Sequence, residues 1–426
     1  MELLQNFKWI TFEKKVVHLY LMILPFTSAF SITQIITIPL IILSVINFAF
    51  LIRFVFFNVK IIIYKIDLLL IIFWLIVSFA LLINSSAFIS LKPYNHYVAY
   101  TFVVFFNYII LKNIFINYFS IYDLQDMCKS VGWGVLICSI FGILEFILKT
   151  FLFVNVDLYI PRAEIAEYDP TILASFIRIR SLVEESGHLA YYLELLAPIG
   201  IYGFRHNKRL CVTLTITSVL CFLLTFSSGG YGIVLILLFI YFMKNIFKFI
   251  SNNYYIVINI RKIIIFFVSI SLLIFVAIYV GSLIYDIFYT IFFEKAFNSG
   301  SANDRNFRLE EGLKAFEQSK VLQQIVGNGP AAYDTLKLWS QGMVVLYLTF
   351  LLEIGLAGSI VFIIFILISL KYAFKIKDNL LKLIFVCAHI CALIHFLFIA
   401  NYYYPWLWVM LALNFFVYVK QNKIYQ

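Results

Sequence analysis

The chain is a succession of apolar runs, each about as long as a bilayer is thick, parted by polar breaks. About twenty apolar residues cross the hydrocarbon core as a helix. Only a helix or a closed barrel satisfies every backbone group there. Hydrophobic residues make up 63% of the 426 and charged residues 13%, with a mean hydropathy of +0.98. A soluble fold cannot bury that much apolar surface. A membrane barrel would show strands of about ten residues with alternating polarity, which continuous runs exclude. The expected fold class is therefore all-α and polytopic, one membrane domain over residues 1–426 with about twelve transmembrane helices. The expected spans are 15–32, 35–57, 66–84, 96–115, 131–152, 189–204, 210–226, 230–248, 263–291, 343–370, 381–399 and 402–418.

Net charge is +10, and its distribution reads as topology rather than as nucleic-acid affinity. Lys14/Lys15, Arg53/Lys60/Lys65, Arg205/Lys208/Arg209, Lys244/Lys248/Arg261/Lys262 and Lys371/Lys375/Lys377 all fall on one side of the expected spans. The positive-inside rule makes that side cytoplasmic, with both termini there. Met1–Lys15 is polar and the first apolar run outlasts a signal peptide, so it reads as a retained anchor. The six cysteines lie in spans or at their cytoplasmic ends, so no disulfide framework is expected.

Two long connections remain, residues 153–188 and 292–342, both expected outside, the second as a large periplasmic loop. Each carries a pair of arginines: Arg178/Arg180 and Arg305/Arg308. A guanidinium is a rigid fork of donors suited to phosphate and carboxylate, so the pairs point to a site for an anionic substrate. Phe307, Leu309, Leu313 and Phe316 recur at helical spacing behind Asp304, a plausible N-cap. They predict an amphipathic helix over the outer membrane face that ends at Gly327-Asn-Gly-Pro330, with Arg305 and Arg308 on one face. Arg178 and Arg180 would share a face in a strand and point apart in a helix.

There is no G-x-x-x-x-G-K-[ST] phosphate loop, no D-x-D triplet and no histidine–carboxylate metal cluster in the outer loops. No cofactor and no metal is expected. Cys387, Cys391 and His395 form one helical stripe, but three such ligands without a fourth fall short of a metal site. Glu145 and Glu194 lie within spans, where ionisable groups are costly and serve either function or helix-to-helix hydrogen bonding. In Arg178-Ile-Arg-Ser-Leu-Val-Glu-Glu-Ser-Gly-His188, cations stand beside carboxylates and a histidine. Such cations can stabilise a diphosphate leaving group, and a carboxylate or histidine can take a proton from an attacking hydroxyl. The alternative is that these arginines pair with Glu164, Glu167 or lipid headgroups.

Four segments resemble the Wzy-type polysaccharide polymerases, in the superfamily that also holds the O-antigen ligases. They are Arg180-Ser-Leu-Val-Glu184 with Ser186 and Ala190-Tyr-Tyr-Leu193; Leu224-Thr-Phe-Ser-Ser-Gly-Gly-Tyr-Gly232; Ser301-Ala-Asn-Asp-Arg305 through Ala315-Phe316 to Gly327-Asn-Gly329; and Leu351-Leu-Glu-Ile-Gly-Leu-Ala-Gly358. Glu185 stands where the family usually has proline, which blurs which glutamate corresponds. The resemblance implies a metal-independent glycosyltransferase of the bacterial inner membrane. It would join undecaprenyl-diphosphate-linked oligosaccharides en bloc, with undecaprenyl diphosphate leaving. It also implies Arg180 and Arg305 as diphosphate binders, Arg178 and Arg308 in support, and Glu184 as base. Membrane lipid and a chain-length regulator are the further expected partners.

Two rivals stand beside it. Ligases of the superfamily use a histidine in the large periplasmic loop, and residues 292–342 contain none. A lipid-linked oligosaccharide flippase would be built from repeated halves around a midplane site, and no internal repeat is visible.

Overall fold

The computed structural model describes residues 2–32, 36–57, 59–162, 172–173, 176–252, 300–338 and 342–422. These residues are helical apart from turns, one two-residue strand pair (Ile172–Leu173 with Phe176–Ile177) and an isolated bridge between Ala29 and Arg162. Five helical segments among them are long and apolar enough to cross a membrane: Ile38–Phe56, Lys65–Ala87, Lys92–Tyr118, Ile121–Phe151 and Leu346–Phe374. The fold is thus that of a helical membrane protein.

In chain order the helices are α1 (Glu2–Met22), α2 (Ile38–Phe56), α3 (Lys65–Asn84), α4 (Lys92–Thr101) and α5 (Leu111–Tyr118). A π-helical stretch, Phe102–Ile110, makes α4 and α5 one continuous rod. Then come α6 (Leu124–Phe151), α7 (Ser186–Gly203), α8 (Lys208–Leu224) and α9 (Ser228–Asn252). After them stand α10 (Gly300–Gln318), α11 (Val321–Val326), α12 (Ala332–Thr335), α13 (Leu346–Phe374), α14 (Asn379–His395) and α15 (Pro405–Gln421). Helices α7, α8, α14 and α15 sit where spans were expected, but at 17 or 18 residues they fall short of the roughly 20 that cross the hydrocarbon core untilted. The expected span 263–291 lies outside the described residues.

Two expectations need correction. The first span does not run to residue 32, because α1 stops at Met22 ahead of Pro25. The amides that would continue the helix turn outward instead: Ala29 N donates to Leu182 O (3.1 Å) and Phe30 N to Pro161 O (2.7 Å). Asp304 is not an N-cap, since the helix already includes Gly300. It sits inside the first turns and pairs with Arg308 at i,i+4 (2.9 Å). That helix also ends at Gln318 rather than at Gly327, with α11 intervening. Phe307, Leu309 and Leu313 are exposed, whereas Phe316 and Ala315 pack on the buried cluster of Ala332, Leu348 and Leu352.

Helix α15 is the centre of the bundle. Every residue from Pro405 to Val417 is buried, with Trp406 and Trp408 essentially inaccessible. A helix that is apolar all round belongs inside. Helices α6 and α7 cross closely where Gly132 meets Gly200: a Cβ on Gly200 would lie 2.6 Å from Gly132 Cα. Small residues let helix backbones approach this way in membranes. Gly200→Val is expected to cost about 1–3 kcal/mol by overpacking, read as a lower midpoint of thermal unfolding in detergent.

Ionic contacts mark the two ends of the bundle. At one end Arg53 pairs with Glu13 (2.8 Å), Lys14 with Asp123 (3.0 Å), and the buried Lys112 with Asp67. The opposite end gathers the C-terminus of α1, the α6–α7 connection, the α8–α9 turn, residues 327–334 and the α14–α15 turn. These are tied by Ala29 N to Leu182 O, Ile179 N to Leu224 O (3.5 Å) and Trp406 Nε1 to Leu24 O (2.8 Å).

Candidate functional site

The α6–α7 connection builds a buried ionic cluster. Glu145 and Lys149 are four apart on the last turns of α6 and pair at 2.7 Å. Past the helix, Phe153 takes a positive φ of 54° and a single 3₁₀ turn follows at Val156–Leu158, whose Asp157 amide donates to the Asn155 side chain. That turn sets the Asp157 carboxylate among three cations: Lys149 at 2.6 Å, Arg180 at 2.7 Å and Arg162 at 3.3 Å. Burial works against the Asp157 charge. Hydrogen bonds and charges from Lys149 and Arg180 prevail and hold its carboxyl below the ordinary carboxylate range.

Glu145 also receives the backbone amides of Arg180 (3.2 Å) and Ser181 (2.6 Å). Ser181 adopts φ 54°, so consecutive amides converge in an anion-holding nest. Arg162 grips the carbonyls of Val183 (2.8 Å) and Ser181. Glu145, Lys149 and Arg180 are 1%, 4% and 5% exposed. Lys149, Arg162 and Arg180 therefore share the Asp157 carboxylate, with Glu145 on Lys149, in a largely dry setting. Charges in such a setting are held by pairing and hydrogen bonding.

Next to this cluster stands a second group. Arg180 Nη1 reaches the Glu184 carbonyl at 3.5 Å. The Glu184 side chain accepts from the Tyr404 hydroxyl. His188, one helical turn on, lies 4.0 Å from that carboxylate and 3.4 Å from the Tyr404 oxygen. Asn401 Nδ2 meets His188 Nε2 at 3.1 Å. An amide nitrogen only donates, so Nε2 accepts and the ring proton sits on Nδ1, facing Tyr404 and Glu184.

The predicted arginines divide. Arg180 is in the ionic cluster. Arg178 turns away from it and donates to Thr225 O in the α8–α9 turn (3.1 Å). Arg305 stands on α10 within electrostatic reach of Glu185, which links the two long connections. Arg308 braces the helix by bonding Asp304 and Gly342 O (2.8 Å). Glu184 thus meets Tyr404, while Glu185 acts on Arg305 only as a nearby charge.

Glu194 pairs with His395 (2.9 Å) inside the bundle. Among the described residues no group of three or more His, Cys, Asp or Glu is placed to hold a metal ion. Helix α13 breaks at Gly355 (φ 63°, ψ −169°), which frees the Leu352 and Glu353 carbonyls to accept from Asn328 N (2.8 Å) and Gly329 N (3.1 Å). The Glu353 carboxylate takes the Ala331 amide (3.0 Å) and the Tyr100 hydroxyl (2.6 Å).

Lys149, Asp157, Arg162, Asn401 and Tyr404 were not among the predicted site residues. The i,i+4 spacing of Glu145 and Lys149 was a usable signal. Asp157 and Arg162 gain meaning only from the turn that brings them together. A scan against protein-family models gives no match, and a search of curated proteins gives none either.

Proposed function

We propose that this protein is a Wzy-type polysaccharide polymerase, a glycosyltransferase that joins undecaprenyl-diphosphate-linked repeat units. The observation that carries the reading is the gathering of buried cations beside a carboxylate held by a tyrosine and a histidine. In this reading the bundle has twelve spans in the bacterial inner membrane, both termini are cytoplasmic, and the arginine end faces the periplasm. Arg180, with Lys149 and Arg162 behind it, meets the diphosphate; Arg305 approaches from the other loop, with Arg178 and Arg308 holding the walls. Glu184 takes the proton from the acceptor hydroxyl as that oxygen attacks the anomeric carbon. The bond from that carbon to the diphosphate oxygen breaks, and undecaprenyl diphosphate leaves with the electron pair. Preorganised positive charge suits a leaving group whose charge grows in the transition state, and a base in hydrogen-bond reach suits proton removal.

In cells deleted for the gene, surface glycan should remain as single repeats. Arg180→Ala and Arg305→Ala should fail to restore chain length at normal protein levels. Full ladders from both variants would remove the proposed site. Lipid-linked units trapped on the cytoplasmic face of the deletion strain would point to a flippase instead, and finished chains left on their carrier to a ligase.

A further inference from the structure

Beyond Glu184, on the side away from Arg180, the α14–α15 turn presents a row of tyrosines. Tyr402 is buried and stacks on Tyr100 (4.4 Å between ring centroids). Tyr403 packs edge-on against Tyr402 (5.8 Å) and beside Tyr404 (5.1 Å), yet it is 41% exposed. Through Tyr402 and the Tyr100 ring stacked on it, Tyr403 is joined to Glu353, which accepts from the Tyr100 hydroxyl (2.6 Å) and from the amide of Ala331 (3.0 Å), two residues before Tyr333. Tyr333 leads into a second polar group. Asp334 accepts from Ser90 Oγ (2.6 Å) and from Lys92 Nζ (2.9 Å), and Lys92 stands 5.7 Å from the Tyr333 ring. His96, one helical turn beyond Lys92 and partly exposed, lies 3.4 Å from Glu353 and 6.0 Å from the Tyr333 ring.

An exposed tyrosine ring with a carboxylate, an ammonium and an imidazole in its neighbourhood is suited to a pyranose. The ring covers the apolar C–H face of the sugar, and the polar groups bracket its hydroxyls. Its position also separates two substrates. The diphosphate of a donor belongs with the cations on the Arg180 side. A base must stand between the donor's anomeric carbon and the acceptor's hydroxyl, and Glu184 lies between Arg180 and Tyr403.

We propose that Tyr403, with Tyr333, Asp334, Lys92 and His96, forms a subsite for a sugar ring of the acceptor glycan. The subsite rests on the polymerase reading and extends it by naming residues that select the acceptor.

The test uses membrane vesicles holding the full chain, with preassembled lipid-linked chains as donor. Labelled single repeats on undecaprenyl diphosphate, extracted from the deletion strain, are titrated as acceptor. Tyr403→Leu and Asp334→Asn should raise the half-saturating acceptor concentration about tenfold, the loss of one stacking or polar contact, with the maximal rate held within about threefold. Tyr403→Phe keeps the ring and should stay near wild type, which also shows that the turn still folds. Chain growth with unchanged acceptor dependence in both Tyr403→Leu and Asp334→Asn would overturn the subsite and leave the polymerase reading standing. No chain growth by wild-type vesicles would overturn the polymerase reading and the subsite with it.

Discussion

Asp157→Asn is expected to be the most damaging single change in the ionic cluster. It takes from Lys149, Arg162 and Arg180 the carboxylate they share, and removing one partner of a buried charge group costs about 3–5 kcal/mol. Thermal unfolding in detergent should show the loss, with chain growth abolished. Neutralising one cation in the same chain, as in Asp157→Asn with Lys149→Met, should recover part of it, because the two changes share a network and their costs do not add. A fully additive double variant would mean that the cluster is not one electrostatic unit. Acid should act in the same direction. The folded-state pKa of Asp157 is depressed, so its contribution is complete above the unfolded value. It fades as pH falls from the ordinary aspartate range through the lower folded value.

Gly355→Ala is expected to have the second largest effect. Gly355 holds φ 63° and ψ −169°, and a Cβ there would overlap the Ile325 backbone. That conformation is close to glycine-only, so the cost is about 3 kcal/mol or more, strain and collision together. Losing the break in α13 also withdraws the carbonyls that hold Asn328 and Gly329. Limited proteolysis should then cut between residues 319 and 338, where wild type resists. Gly232→Ala is the control: a Cβ there meets nothing within 4 Å and should change little. Equal protease resistance in Gly355→Ala and wild type would show that the turn does not depend on the break.

The helices were legible because apolar runs of spanning length have few other folds available. Their number of true spans was not, since α7, α8, α14 and α15 are only 17 or 18 residues long. The end of α1 shows the limit clearly. Ile23–Ile32 continues an apolar run, and although Pro25 and Ser28 interrupt it, the donors drawn to Leu182 and Pro161 show where the turn goes. In the site, Arg180 and Glu184 stood out as rare charges beside a span. Tyr404 and Asn401 read as interfacial aromatics and a turn residue, because their partners lie more than two hundred positions away. Asp157 had no local signal of its own. Its role comes from two successive turns that no periodicity announces.

The tie between Tyr404 and Glu184, and that between Trp406 and Leu24, also bear on how the protein is made. Ribosomes release α1 and α7 long before α15, so during synthesis Glu184 waits without its tyrosine and the Leu24 carbonyl without its indole. Glu184 and the cation cluster would take up their described surroundings only once Tyr404 and α15 have been threaded into the centre of the helices already inserted. Chains halted before residue 404 would then carry Arg178, Arg180, Arg305 and Arg308 and still lack both ties.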